Sequence, residues 1–182
     1  MGTKRKQTLL IKEQVSELLL QQHLRGWKSN PKYIVENLYV FGWGSDMLIK
    51  TRSGYWYEVE CKISFADFKN DFKNKRQKHE LLKTGDEKHR RPNYFYYCVP
   101  WYLSEKVLPL LPDYAGLIVL TENGRLNEVN RAPCLHKQKY TNEELKLCDK
   151  FYYAYRNWKL ALEKQQPTEA IKRLKEIGRA HV

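Results

Sequence analysis

The sequence predicts an α/β (α+β) domain with a mixed sheet flanked by helices, on three observations. Segments of helical and strand period follow one another as helix, three strands, helix, strand, helix, two strands, helix. The length of 182 residues suits one compact domain. Hydrophobic residues make up 42% and charged residues 30%, which leaves enough apolar surface for a core and argues against wholesale disorder or a coiled coil.

Residues 7 to 25 place Leu10, Val15, Leu18, Leu19 and Leu24 at a helical period, and Gly26 closes the run. Asn30-Pro31 breaks the chain, and Leu38 to Phe41 reads as a short buried strand ending at Gly42. Met47 to Thr51 and Tyr55 to Ile63 flank Arg52-Ser53-Gly54, a glycine-ended triplet suited to a hairpin whose third loop residue is left-handed. Ser64 then caps a long basic helix ending at Lys83-Thr84-Gly85, with Phe65, Phe68 and Phe72 as its core stripe. Tyr94 to Val99 is a strand, Ser104 to Leu111 a short helix, Gly116 to Thr121 a strand, and Leu126 to Arg131 a last strand after the Glu122-Asn123-Gly124 turn. Thr141-Asn142-Glu143-Glu144 has the capping-box form and opens a C-terminal helix, whose stripe through Leu145, Cys148, Tyr152, Tyr155 and Leu162 is expected in the core. Tyr153 and Trp158 fall at surface or edge positions.

Charge and cysteine usage narrow the function classes. There are 33 Lys and Arg against 21 Asp and Glu, a formal net charge of +12, which favours an anionic partner such as nucleic acid. Cys61, Cys98, Cys134 and Cys148 form no C-x-x-C pair, so a zinc knuckle is not expected, and three of them sit in apolar patterns as buried free thiols. No apolar run reaches the roughly 20 residues of a membrane span. The basic start leads into Leu9 to Glu13, where charge interrupts any secretory core, so a cytoplasmic protein is expected. The last six residues, 177–182, break the helical pattern and match the translation of a common sequencing-adapter stretch. They are read as a non-native tail, leaving residues 1–176 as one domain.

The chemistry concentrates in the hairpin. Strand side chains alternate, so Glu58, Glu60 and Lys62 share one face while Tyr57, Val59, Cys61 and Ile63 share the other. A three-residue loop sets Thr51 opposite Tyr55 and, counting back, Asp46 opposite Glu60 on the same face. Two carboxylates and an ammonium at one end of a hairpin fit metal-assisted hydrolysis. Asp46 and Glu60 offer hard oxygens to Mg²⁺ together with the backbone carbonyl of Cys61, and Lys62 orients water and neutralises charge developing on phosphorus. The bland reading of the same residues is a solvated strand face with a cross-strand ion pair worth roughly 0.2 to 1 kcal/mol.

Asp46, Glu60-Cys61-Lys62, Ser64 to Asp71 and Lys78-His79, with Tyr94 to Val99 and Leu111 to Val119, resemble the PD-(D/E)XK nuclease superfamily. More narrowly they resemble its MmcB-type DNA-repair branch and related phage-borne proteins, over roughly residues 35 to 135. The resemblance implies a restriction-endonuclease-like core of order αβββαβ, extended here by C-terminal strands and a helix. It further implies Mg²⁺-dependent (or Mn²⁺-dependent) cleavage of DNA, with Asp46 and Glu60 on metal and Lys62 catalytic. Ser45 stands where the superfamily's name has proline. Glu13 or Glu17, four apart on one predicted helix face, can supply a further carboxylate, or both are simply solvated. Glu58 shares the site face yet can pair with Lys50, while Asp67 and Asp71 either support the site or serve as a helix cap and an i,i+4 partner of Lys75. Lys69, Lys73, Arg76 and Lys78 are the expected phosphate contacts on the basic helix. A DNA-binding repair adaptor with the same fold and little cutting is the alternative function.

Overall fold

Alternating side chains divide the strands of the computed structural model between two apolar layers, one on each face of a single sheet. Leu48, Trp56, Phe95, Tyr97, Val99, Leu117 and Val119 enter one core. Their neighbours Met47, Ile49, Val59, Cys61, Tyr96, Cys98, Ile118 and Leu120 enter the other. The structure describes residues 9–28, 31–85 and 89–165, the last four by backbone alone. Residues 177–182 lie outside that range.

Six strands, β1 (Tyr33–Tyr39), β2 (Gly44–Lys50), β3 (Trp56–Cys61), β4 (Tyr94–Pro100), β5 (Ala115–Leu120) and β6 (Leu126–Asn130), lie in the sheet in that order. The β1–β2, β2–β3 and β5–β6 pairs are antiparallel and the β3–β4 and β4–β5 pairs parallel. The fold is therefore the predicted α/β type with a mixed sheet. Helix α1 (Glu17–Leu24), capped by Ser16, packs Leu20 and Leu24 on one face. On the other lie α2 (Phe65–Asn74) and α3 (Arg76–Thr84), bringing Phe68 and Leu82 into the core. Helix α4 (Trp101–Val107) follows β4 directly, three residues earlier than its sequence signal.

Several elements depart from the sequence reading. The first helix is shorter than 7 to 25: Lys12–Gln14 forms a separate 3-10 turn, so exposed Glu13 and Glu17 do not share a helix face. The single basic helix is two, broken at Lys75, whose φ of −115° and ψ of 40° are non-helical. The Thr141–Glu144 capping box forms, with Glu144 N–H on Thr141 Oγ1 and Thr141 N–H on Glu144 Oε2. It closes only a turn, because Lys146 is left-handed at φ 49° and helix α5 (Leu147–Gln165) starts after it. Leu145 is buried as expected, but Cys148, Tyr152 and Tyr155 are exposed, as are Tyr153 and Trp158. Period alone does not say whether a partner surface exists for a stripe, and beyond Leu145 the stripe residues Cys148, Tyr152 and Tyr155 face solvent. The Leu162 side chain lies outside the described residues. Cys61 and Cys98 are buried and Cys134 and Cys148 exposed, all four free, so two thiols and not three are core groups.

Candidate functional site

The hairpin register is the one the glycine-ended triplet predicts. Met47 pairs with Val59 and Leu48 with Glu58, Thr51 N–H reaches Tyr55 O, and Gly54 closes the loop at φ 91°. Continued one step, this register sets Asp46 against Glu60, but the backbone ladder stops at Met47/Val59. On the other side of β2 the pairing passes from Glu36/Met47 to Leu38/Ser45, with Asn37 left-handed at φ 53° in between. Asp46 thus leaves regular pairing on both sides. Buried Gln21 of α1 donates to Asn37 Oδ1 at 3.1 Å and Asp46 O at 3.2 Å, holding the irregularity in place.

Freed from the ladder, the half-buried Asp46 carboxylate takes a backbone donor itself: Cys61 N–H reaches its Oδ2 at 2.7 Å. The N–H and C=O of one strand residue point the same way, so the Cys61 carbonyl faces the Asp46 side of β3. Burial first, and then the Glu60 charge, push the Asp46 carboxyl up to about 7 against the Cys61 hydrogen bond and the Lys62 charge. Exposed Glu17 adds to the rise from a distance.

Behind Asp46 lies a buried ion network. Glu60 is fully buried and accepts from three ammonium groups: Lys62 at 3.2 Å and Lys75 at 2.7 Å on Oε2, and Lys78 on Oε1. Lys78 also meets Glu58 at 2.6 Å, whose two oxygens take the Trp43 indole N–H at 2.8 and 3.0 Å. Asp71 Oδ1 accepts no well-aligned hydrogen bond but lies 3.1 Å from Lys62 and 3.2 Å from Lys75. Asp71 Oδ2 bonds His79 Nε2 at 3.0 Å and the Tyr97 hydroxyl at 2.8 Å, while His79 Nδ1 meets the Tyr114 hydroxyl at 2.8 Å. Three carboxylates are matched by three lysines. Buried charges persist only when paired in this way.

The environment tunes each member in its own direction. Burial pushes the Asp71 carboxyl up, but the His79 hydrogen bond and the Lys62, Lys75 and Lys78 charges outweigh it and hold it well below the carboxylate range. Glu60 is likewise raised by burial and brought below its ordinary value chiefly by Lys78. Glu58, where burial dominates over Lys78, is pushed up. Burial lowers Lys62, yet Glu60, Asp71, Asp46 and Asp67 together raise it, so it stays an ammonium.

These positions sort the residues named from sequence. At the end of the hairpin Lys62 meets Glu60, and Asp46 accepts from the N–H of Cys61 between them. Glu58 pairs with Lys78 and Trp43 instead of Lys50, which reaches over to Tyr140 O and Asn142 Oδ1. Asp67 is exposed, its carboxylate 3.9 Å from Lys62, while its N–H is capped by Ser64 Oγ. Lys69, Lys73 and Arg76 are exposed, as a phosphate contact requires, whereas Lys78 turns inward with only 2% exposure. Trp43, Lys75, His79, Tyr97 and Tyr114 complete the network: the Asp71–Lys75 i,i+4 pair forms as the spacing allows, Tyr97 pairs with Glu60 and shares its face, and the inward turn of Trp43, His79 and Tyr114 had no signal in the spacing. Next to the network opens a groove of about 380 Å³ lined by Tyr39, Trp43, Gly44, Lys75, Arg76 and Lys78, among others.

Asp46, Glu60 and the Cys61 carbonyl are oxygen donors of the type a hard divalent ion takes. The rise of Asp46 next to Glu60 is the electrostatic deficit that such an ion relieves. Against it, Glu60 is already occupied by ammonium groups, and among the described residues no cluster of three or more His, Cys, Asp or Glu side chains has metal-site form. The donor set is two carboxylates and a carbonyl.

Comparison with known proteins reaches the fold and no further. No family model matches the chain, and no curated protein does. A solved structure of a protein of unknown function from Silicibacter pomeroyi is similar over 91% of this chain and 97% of that one, with 21% identity and a TM-score of 0.51.

Proposed function

We propose that the protein is a Mg²⁺-dependent DNA nuclease that hydrolyses phosphodiester bonds in DNA repair or in the processing of phage or mobile-element DNA. The observation that carries this reading is the convergence of Asp46, Glu60 and Lys62 beyond the end of the β2–β3 ladder, beside a lysine- and arginine-lined groove. The order α1, β1, β2, β3, α2–α3, β4 runs in the same sense as the restriction-endonuclease-like core and supports the resemblance. In this reading Asp46, Glu60 and the Cys61 carbonyl hold Mg²⁺, which supplies Lewis-acid activation of water and phosphate when bound. Mn²⁺ can stand in for it.

Lys62 stays protonated, so it is no general base. Its role is to donate to the attacking water and a phosphate oxygen and to offset the charge developing on phosphorus. Asp71 positions Lys62 from 3.1 Å and is itself fixed by His79 and Tyr97. Arg76 and Lys75 line the groove where the phosphate chain lies, and exposed Lys69 and Lys73 extend the basic surface of α2.

Cleavage of single-stranded, duplex and branched DNA in Mg²⁺ and Mn²⁺ tests the reading. Wild type is expected to cut, and Asp46→Ala and Lys62→Ala are each expected to lose activity by ~100-fold or more. Cleavage retained in both purified, folded variants sinks the assignment. One observation favours the second reading, a DNA-binding adaptor: three ammonium groups already neutralise Glu60 and compete with a metal. An adaptor binds DNA in the same panel without cutting it.

A further inference from the structure

Helix α5 leaves one side of its first turns over the end of β1. Lys150 donates to Val40 O at 2.6 Å, and a groove of about 300 Å³ opens between Asn37, Tyr39, Lys150, Tyr153 and Asn157. Tyr39 lines this groove and also the one beside Glu60, so the two meet at its ring. Tyr39 is 62% exposed and Tyr153 57% exposed. The Tyr39 hydroxyl donates to Gly42 O, which sets its ring at the junction. Among the described residues, the side chains lining the two grooves include Lys75, Arg76, Lys78 and Lys150 and no carboxylate.

We infer that this joined groove is the path of single-stranded DNA, with unpaired bases stacking on Tyr39 and Tyr153 and the phosphates running past Arg76 toward Asp46 and Glu60. The inference rests on the nuclease reading for what lies at the end of the path, and names the substrate class. A fixed aromatic ring recognises a base face without regard to sequence, and cations track the phosphates. Bases in a duplex offer no free face, so rings at the junction of a basic groove select unpaired DNA. A second copy of this chain, with net charge +12, would set like charges against that surface. The exposed Phe151, Tyr155 and Trp158 lie on a different face of α5 by helical period and are not part of the path.

Fluorescence anisotropy of the full chain with a labelled oligo(dT) of about 20 nucleotides, in EDTA, reads the path without cleavage. Tyr39→Ser and Tyr153→Ser are each expected to weaken binding by roughly 5- to 150-fold, with melting temperatures near wild type. Tyr153→Phe is expected to bind like wild type, since it keeps the ring. Duplex DNA of the same length is expected to bind more weakly, and equally in all four proteins. Wild-type affinity in both serine variants overturns the inference. So does a loss of affinity that accompanies a change from dimer to monomer, or tighter binding of oligo(U) RNA. Because metal is absent, failure of the nuclease reading shows as binding without later cutting, while failure of the path shows as cutting by proteins whose oligo(dT) affinity ignores both rings.

Discussion

Asp46 carries the clearest pH signature in the molecule. Its folded carboxyl is raised from 3.8 to about 7, so the folded chain binds a proton that the unfolded chain gives up near pH 4. Stability from this group is full below pH 4 and is lost as pH rises toward 7. Asp46→Asn is therefore expected to stabilise the protein at pH 8 relative to wild type by about 1–2 kcal/mol, allowing for solvent screening, and to change little at pH 4. Thermal melts at the two values check it. Glu60 and Asp71, both held below their ordinary values, act in the opposite sense: their contribution is present above about pH 4 and lost in acid. On the proposed assignment of ionised Asp46 as a ligand, Mg²⁺ is expected to raise the melting temperature of wild type more at pH 8 than at pH 5.5, and not to raise that of Asp46→Asn. At Lys78 the concern is pairing. Lys78→Met leaves Glu58 and Glu60 short of a buried partner and is expected to cost ~3–5 kcal/mol, read by urea denaturation.

Among elements, the hairpin was the most legible and the helices the least. Apolar alternation from Tyr55 to Ile63 and the glycine of Arg52-Ser53-Gly54 fixed faces and register together, because a one-residue slip would turn Glu58, Glu60 and Lys62 to the other core. The break at Lys75 was not legible, since Asn74, Lys75 and Arg76 are all compatible with helix. With the break in place, the Lys75 and Lys78 ammonium groups both reach Glu60. Strand β5 offers a sharper test of packing. A Cβ at Gly116 would run into the Tyr96 ring and the Ala132 backbone nitrogen, so Gly116→Ala is expected to destabilise by ~2 kcal/mol or more. The measurement is a melting curve, with Gly44→Ala, whose Cβ meets nothing within 4 Å, as the control.

At the scale of the whole molecule, a buried amide is one of the ties that hold the long segment after β6, beside the Lys50 and Arg91 bonds to Tyr140 O and Leu135 O. Asn93 accepts from Trp56 N–H at 2.8 Å and donates to His136 O at 2.9 Å and Gln138 O at 2.8 Å, linking β3 to a stretch about eighty residues further along the chain. Asn93→Ala strands those groups and is expected to cost about 2–3 kcal/mol in denaturant unfolding. Among the described residues no helix is long and apolar enough to cross a membrane. Composition and period by themselves determined the α/β class, the strand faces and the hairpin register that runs Asp46 toward Glu60, because those follow from local alternation and turn geometry. Only the tertiary structure decided that Lys78 and His79 point inward, that Tyr97 and Tyr114 complete the network, and that the aromatics of α5 lie in solvent. Each of these depends on which surface, brought from far along the chain, stands opposite the residue, and a one-dimensional period holds no information about that surface.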